Sequence, residues 1–120
     1  MKTHVFTIDL KPQPGLIQKY RDYHAAVWDD VKEGMRSIGI RKNAIYLYGT
    51  RLINIMETVD DFDPKTAFQN YYAGRPKAEE WDRLMATFQQ PLPEAGKGEW
   101  WSQMEKVFEY VCPEEETCNR

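Results

Sequence analysis

Residues Ile40 to Thr58 read I-R-K-N-A-I-Y-L-Y-G-T-R-L-I-N-I-M-E-T, and this stretch decides the fold. Apolar, β-branched and aromatic residues crowd both sides of Gly49-Thr50, so the stretch reads as two strands, Ile40 to Tyr48 and Arg51 to Thr58, joined by a tight hairpin. Upstream, His4 to Leu10 alternates, with Phe6, Ile8 and Leu10 on one side and Val5, Thr7 and Asp9 on the other, which is a further strand. Lys11-Pro12-Gln13-Pro14-Gly15 breaks the chain, and Pro14 suits a first helical turn. An apolar stripe through Leu16, Ile17, Tyr20, His24, Val27, Trp28, Val31, Met35 and Ile38 then predicts one long helix from about Pro14 to Ile38, stopped by Gly39. Downstream of the hairpin, Asp63 reads as a helix cap and Pro64 as the first helical residue. That helical region is interrupted at Gly74-Arg75-Pro76 and resumes from Ala78 to about Gln89, with Trp81, Leu84, Met85 and Phe88 on one face. Pro91 to Gly98 is a loop, and Trp101 to Val111 reads as a last strand.

The order strand, helix, strand, strand, helix, strand is the ferredoxin-like βαββαβ arrangement of the α+β class, an antiparallel sheet with helices on one face. The strands are apolar on both faces: Ile45 and Leu47 against Tyr46 and Tyr48, Val107 and Val111 against Met104 and Phe108. A half-solvated sheet would show polar residues on its outer face. A second subunit laying its sheet on the first would cover that face, so a homodimer is expected.

A chain of 120 residues makes one domain, residues 1–111, followed by a polar tail, residues 112–120. The net charge of −3, with basic residues scattered among acidic ones, speaks against nucleic acid or an anionic membrane as partner. No apolar run approaches a membrane span, and the opening M-K-T-H-V-F-T-I-D-L lacks a signal-peptide core, so a cytoplasmic protein is expected. Cys112 and Cys118 sit in the tail without a second Cys or His pair to complete a zinc set, and read as two thiols rather than a disulfide or half a metal site. Four Trp, seven Tyr and five Phe call for a large core, an interface or a ligand platform.

Candidate chemistry gathers on the first helix. Tyr20, His24 and Trp28 recur at i, i+4, i+8, so one helical stripe carries a titratable imidazole between two aromatics. Such a histidine is either a hydrogen-bonded core residue or a proton-transfer group, and spacing alone leaves both open. Trp81 points the same way from the second helical region, which predicts a pocket between helices and sheet. Asp9 and Glu57 either face that pocket or are solvated at strand ends. His4 is expected to be exposed, Asp29-Asp30 and Lys32-Glu33 to form a solvated face, and Trp100-Trp101 to be structural. No phosphate loop, H-E-x-x-H or nucleophile elbow is present. Without metal or nucleotide motifs the chemistry narrows to proton transfer, cofactorless oxygen chemistry or binding.

Y-x-x-x-H-x-x-x-W (Tyr20 to Trp28), A-I-Y-L (Ala44 to Leu47), M-E-T (Met56 to Thr58), A-E-E-W-D-R-L-M (Ala78 to Met85) and G-E-W-W-S-Q-M-E-K-V-F (Gly98 to Phe108) together resemble the L-rhamnose mutarotase family. The resemblance runs over nearly the whole chain to Tyr110. It implies a dimeric α/β barrel acting on a monosaccharide without cofactor or metal. It implies His24 as proton donor and Tyr20 and Trp81 in contact with the sugar. Where rhamnose-type members carry a tyrosine before A-I-Y-L this chain has Asn43, and where they carry a second tryptophan it has Asp82. Gly49 to Leu52, Phe62 to Pro64 and Gln90 to Pro93 look closer to the L-fucose branch. The expected function is interconversion of the α and β anomers of a 6-deoxy-L-hexose by general acid–base catalysis, with Asp9, Glu57, Asp82 or a water as base. The rival readings are a cofactorless monooxygenase-like barrel enzyme and a non-catalytic small-molecule binding module.

Overall fold

The computed structural model describes residues 1–113. The elements run β1 (Lys2–Leu10), α1 (Pro14–His24), α2 (Asp29–Ser37), β2 (Ile40–Tyr48), β3 (Arg51–Thr58), α3 (Pro64–Tyr71), α4 (Pro76–Ala86), β4 (Gln89–Gln90) and β5 (Ser102–Gln103). The sheet is antiparallel in the order β2-β3-β1-β4, with β5 also paired to β1. This is the ferredoxin-like α+β fold: the hairpin occupies one flank, and β1 lies between it and the short C-terminal strands.

The hairpin turns where expected, with Gly49 at φ 63°, a conformation costly for residues bearing a Cβ. Asp63 caps α3 by accepting from the Lys65 backbone N–H at 3.0 Å, and Pro64 takes the first turn. Register sets the two faces of the sheet. His4↔Met56, Phe6↔Asn54 and Ile8↔Leu52 pair across β1 and β3, and Asn43↔Met56, Ile45↔Asn54 and Leu47↔Leu52 across β2 and β3. Leu10, Leu52 and Ile8 are buried in one core with Val31, Tyr71, Ala78, Trp81, Met85 and Phe88 from the helical layer. The opposite face carries Val5↔Ile55↔Ala44 and Thr7↔Ile53↔Tyr46.

Four expectations are corrected, three about elements and one about a cysteine. The long helix is two: α1 ends at His24, Trp28 is extended (ψ 144°), and α2 restarts with Asp29 and Asp30 in its first turn. Two acidic residues favour a helix start electrostatically, which here outweighs the continuity of the apolar stripe. The fourth helix ends at Ala86, and Gln89 belongs to a strand paired with Leu10. The last strand shrinks to Ser102–Gln103. After the Met104 N–H donates to the Val5 carbonyl, the chain leaves β1, and Val107, Phe108, Tyr110 and Val111 are exposed. Alternation makes a strand only where a neighbour supplies hydrogen bonds. Finally, Cys112 is disulfide-bonded rather than a spare thiol, and Cys118 lies outside the described residues. No helix among the described residues is long and apolar enough to cross a membrane.

Candidate active site

Between the helices and the sheet lies a cavity of about 680 Å³, within the range typical of small-ligand sites. Phe6, Asn43, Ile45, Asn54 and Met56 line it from the sheet, Tyr20 and His24 from α1, Tyr71 and Tyr72 from the end of α3, and Trp81 and Asp82 from α4. All three expected site residues, Tyr20, His24 and Trp81, therefore meet in one space.

His24 sits in the last turn of α1, where helix carbonyls run out of backbone donors. Its Nδ1 is 2.9 Å from the carbonyl oxygen of Tyr20. A carbonyl only accepts, so Nδ1 carries a proton, and Nε2 is the nitrogen left for a ligand. The ring is packed by Tyr20 (centroids 4.3 Å apart) and edge-on by Trp81 (5.3 Å). Burial lowers its pKa below 6.5, against the hydrogen bond to Tyr20, which raises it. Trp28 reaches Trp81 at 5.1 Å from beyond the helix break, and its ring faces Lys77 as well.

The Tyr20 hydroxyl accepts from Gln89 Nε2 at 3.2 Å, and Gln89 Oε1 accepts from Trp100 Nε1 at 3.0 Å. Tyr20 is thus held from the strand following α4, and burial is the main cause pushing its pKa up to about 12. Asn43 and Asp82 both lie in the cavity wall. Asn43 Nδ2 donates to Asn54 Oδ1, and the Tyr72 hydroxyl donates to Asp82 Oδ2 at 2.6 Å. Burial raises the pKa of Asp82, partly offset by the Tyr72 bond.

Other expectations resolve differently. Asp9 is buried, neither solvated nor in the cavity, and Arg51 Nε donates to its Oδ1 at 2.5 Å. Glu57 pairs in register with Thr3 and Lys42 on the face away from the helices and does not line the cavity. His4 is not exposed: its ring lies 5.2 Å from Phe62, and its Nε2 is buried without a hydrogen-bond partner among the described residues. Gln89, Asn54 and Tyr72 belong to the site although sequence reasoning passed over them. Asn54 did leave a signal, being the one polar residue on the inward side of L-I-N-I-M.

An antiparallel ferredoxin-like sheet with an aromatic-walled cavity around one imidazole defines a class of small α+β proteins. The model of the L-rhamnose mutarotase family matches residues 3–110, and the chain belongs to that family. A UPF0734 protein of Dictyostelium discoideum is 46% identical over 111 residues, covering 90% of this chain and 89% of that protein. An L-fucose mutarotase of Xanthomonas campestris pv. campestris is 32% identical over 110 residues, covering 90% and 87%. Among solved structures, an L-rhamnose mutarotase from Formosa agariphila is similar with a TM-score of 0.66 at 18% identity, covering 92% of this chain and all of that one.

Proposed function

We propose that this protein is a sugar mutarotase, an isomerase interconverting the α and β anomers of a 6-deoxy-L-hexose, with His24 as proton donor and Tyr20 and Trp81 against the sugar. The observation that carries the reading is the cavity in a member of this family, walled by those three residues with one His24 nitrogen left unengaged. Opening a pyranose requires a proton on the ring oxygen while the anomeric hydroxyl loses one. The aldehyde then turns, and the steps reverse. General acid–base catalysis typically contributes about 10²–10⁴-fold, enough for a reaction that already proceeds in water. Lowering the pKa of His24 makes its imidazolium a stronger acid while reducing its population near neutral pH. The Trp81 indole offers an apolar face to sugar C–H groups and to the 6-methyl.

We place L-fucose ahead of L-rhamnose. The 32% identity to an L-fucose mutarotase supports this, as do Asn43 and Asp82, polar groups able to hydrogen-bond hydroxyls where rhamnose-type members carry aromatics. The test is NMR exchange between anomers of L-fucose, L-rhamnose and D-glucose. Enzyme-dependent exchange on the deoxy sugars, fastest on L-fucose, is expected. Saturable sugar binding with exchange at the buffer rate would make the protein a binding module instead.

The reading includes a homodimer in the cytoplasm. The sheet face away from the helices exposes Tyr46 (62%) and Tyr48 (89%) around half-buried Val5, Ala44, Ile53 and Ile55. An uncovered apolar face of this kind supports a second copy lying over it.

A further inference from the structure

We infer that Asp82 is the catalytic base, taking the proton of the anomeric hydroxyl as His24 protonates the ring oxygen, and that Tyr72 is its positioning residue. This rests on the mutarotase reading above and supplies the group that reading leaves unassigned. Three carboxylates competed for the role, and the fold separates them. Asp9 is engaged by Arg51 outside the cavity, and Glu57 lies on the far face of the sheet. Asp82 alone of the three lines the cavity with His24.

Its surroundings suit the task. Tyr72 from the end of α3 donates to Oδ2, fixing the carboxylate and leaving Oδ1 for a substrate hydroxyl. The charge of Asp82 is felt at Tyr20 of α1 and at Tyr71 and Tyr72 at the end of α3, where Arg75 acts on Tyr71, and Glu79 and Arg83 of α4 act on Tyr72. Arg83 is ion-paired with Glu79 at 3.2 Å, and Asp82 has no ion pair among the described residues. Asp82 and His24 line the same cavity, with the Tyr20 ring packed against His24 in its wall.

The step balances. The His24 imidazolium gives a proton to the ring oxygen, and the bond from that oxygen to the anomeric carbon breaks with its electron pair staying on oxygen. Asp82 takes the hydroxyl proton, and the freed O–H pair becomes the second bond of the aldehyde carbonyl. Closure runs the same movements backwards, so the pair passes one proton between its members and needs no oxidant or reductant. Burial lowers His24 and raises Asp82. The two are drawn towards each other, and the transfer between them is easier than between an ordinary histidine and aspartate.

The test is L-fucose anomer exchange against pH for wild type, Asp82→Asn, Tyr72→Phe and, as a control outside the site, Glu57→Gln, with thermal melting of each. Asp82→Asn is expected to lower kcat about 10²-fold with KM little changed, and Glu57→Gln to match wild type. Tyr72→Phe is expected to move the acid limb of the profile to higher pH, because its hydrogen bond holds the carboxyl down. A purely structural Tyr72 would change melting or KM and leave that limb in place. Folded Asp82→Asn with wild-type kcat overturns the inference while leaving the mutarotase reading intact. Wild-type protein that exchanges no sugar overturns both. If Asp82→Asn does not fold, an acid limb unmoved in Tyr72→Phe overturns it.

Discussion

The backbone carbonyl of Tyr20 holds His24 Nδ1 at 2.9 Å, and the Tyr20 ring lies 4.3 Å from the imidazole. One residue thus sets both the tautomer of His24 and the plane of its ring. Its hydroxyl is in turn held by Gln89 and, through Gln89, by Trp100. Removing that hydroxyl in Tyr20→Phe keeps the carbonyl bond but leaves the Gln89 amide without its acceptor, a loss of about 1 kcal/mol. Denaturant unfolding reads the stability change, and an altered Trp100 emission reports that the chain of bonds has loosened. Unchanged stability and emission would show the three side chains to be independent.

Gly34 of α2 packs against Tyr71 at the end of α3. A Cβ there would lie 2.8 Å from the Tyr71 ring and 3.2 Å from its carbonyl oxygen. Alanine gains up to about 1 kcal/mol over glycine in a helix interior. Overpacking against a buried ring costs about 1–3 kcal/mol, so the contact outweighs the propensity. Gly34→Ala is expected to melt lower than wild type, and since Tyr71 lines the cavity, to weaken sugar binding too. A higher melting temperature would mean that Tyr71 yields easily.

Acid weakens the fold through its histidines. Burial lowers the pKa of both His4 and His24, so near pH 6 the unfolded chain binds more protons at these two sites than the folded one. Stability from these groups is complete above 6.5, the ordinary histidine value, and is lost as pH falls through their lower folded values. Thermal melts from pH 8 down to 5 should be flat and then fall. His4→Leu, which removes a buried nitrogen with no partner among the described residues, should shrink that fall. An identical fall in the variant would assign the acid sensitivity elsewhere.

Covering the open sheet face is tested by Ile55→Glu. Ile55 pairs in register with Val5 and Ala44 on that face, away from the cavity. A carboxylate at the centre of an apolar contact is strongly disfavoured. Light scattering is expected to give twice the chain mass for wild type and a monomer for the variant. A monomeric wild type would remove the homodimer from the account.

What could be read from the sequence was what local chemistry decides. Gly49, Asp63 and Pro64 act within a turn, so the hairpin and the start of α3 were legible to the residue. Tyr20 and His24 were legible as a pair because four-residue spacing stacks them on one helix. The break at Trp28 was hidden, since the apolar stripe continues through it and only Asp29-Asp30 signals a restart. The last strand is over-read because Phe108 and Tyr110 alternate as strand residues do, while backbone pairing with β1 among the described residues ends at Met104. Gln89, Asn54 and Tyr72 earn their place through bonds to distant elements, and such bonds leave no periodic trace in the chain.

On the proposed mechanism, the imidazole of His24 moves a proton on a sugar. Magnetisation-transfer NMR between the two anomeric proton signals of L-fucose measures this in a single sample. Wild-type protein should speed transfer well beyond the buffer rate, and folded His24→Ala, with its cavity intact, should lose about 10² of that acceleration or more. Equal rates for wild type, His24→Ala and buffer alone, on L-rhamnose as well as L-fucose, would contradict the account.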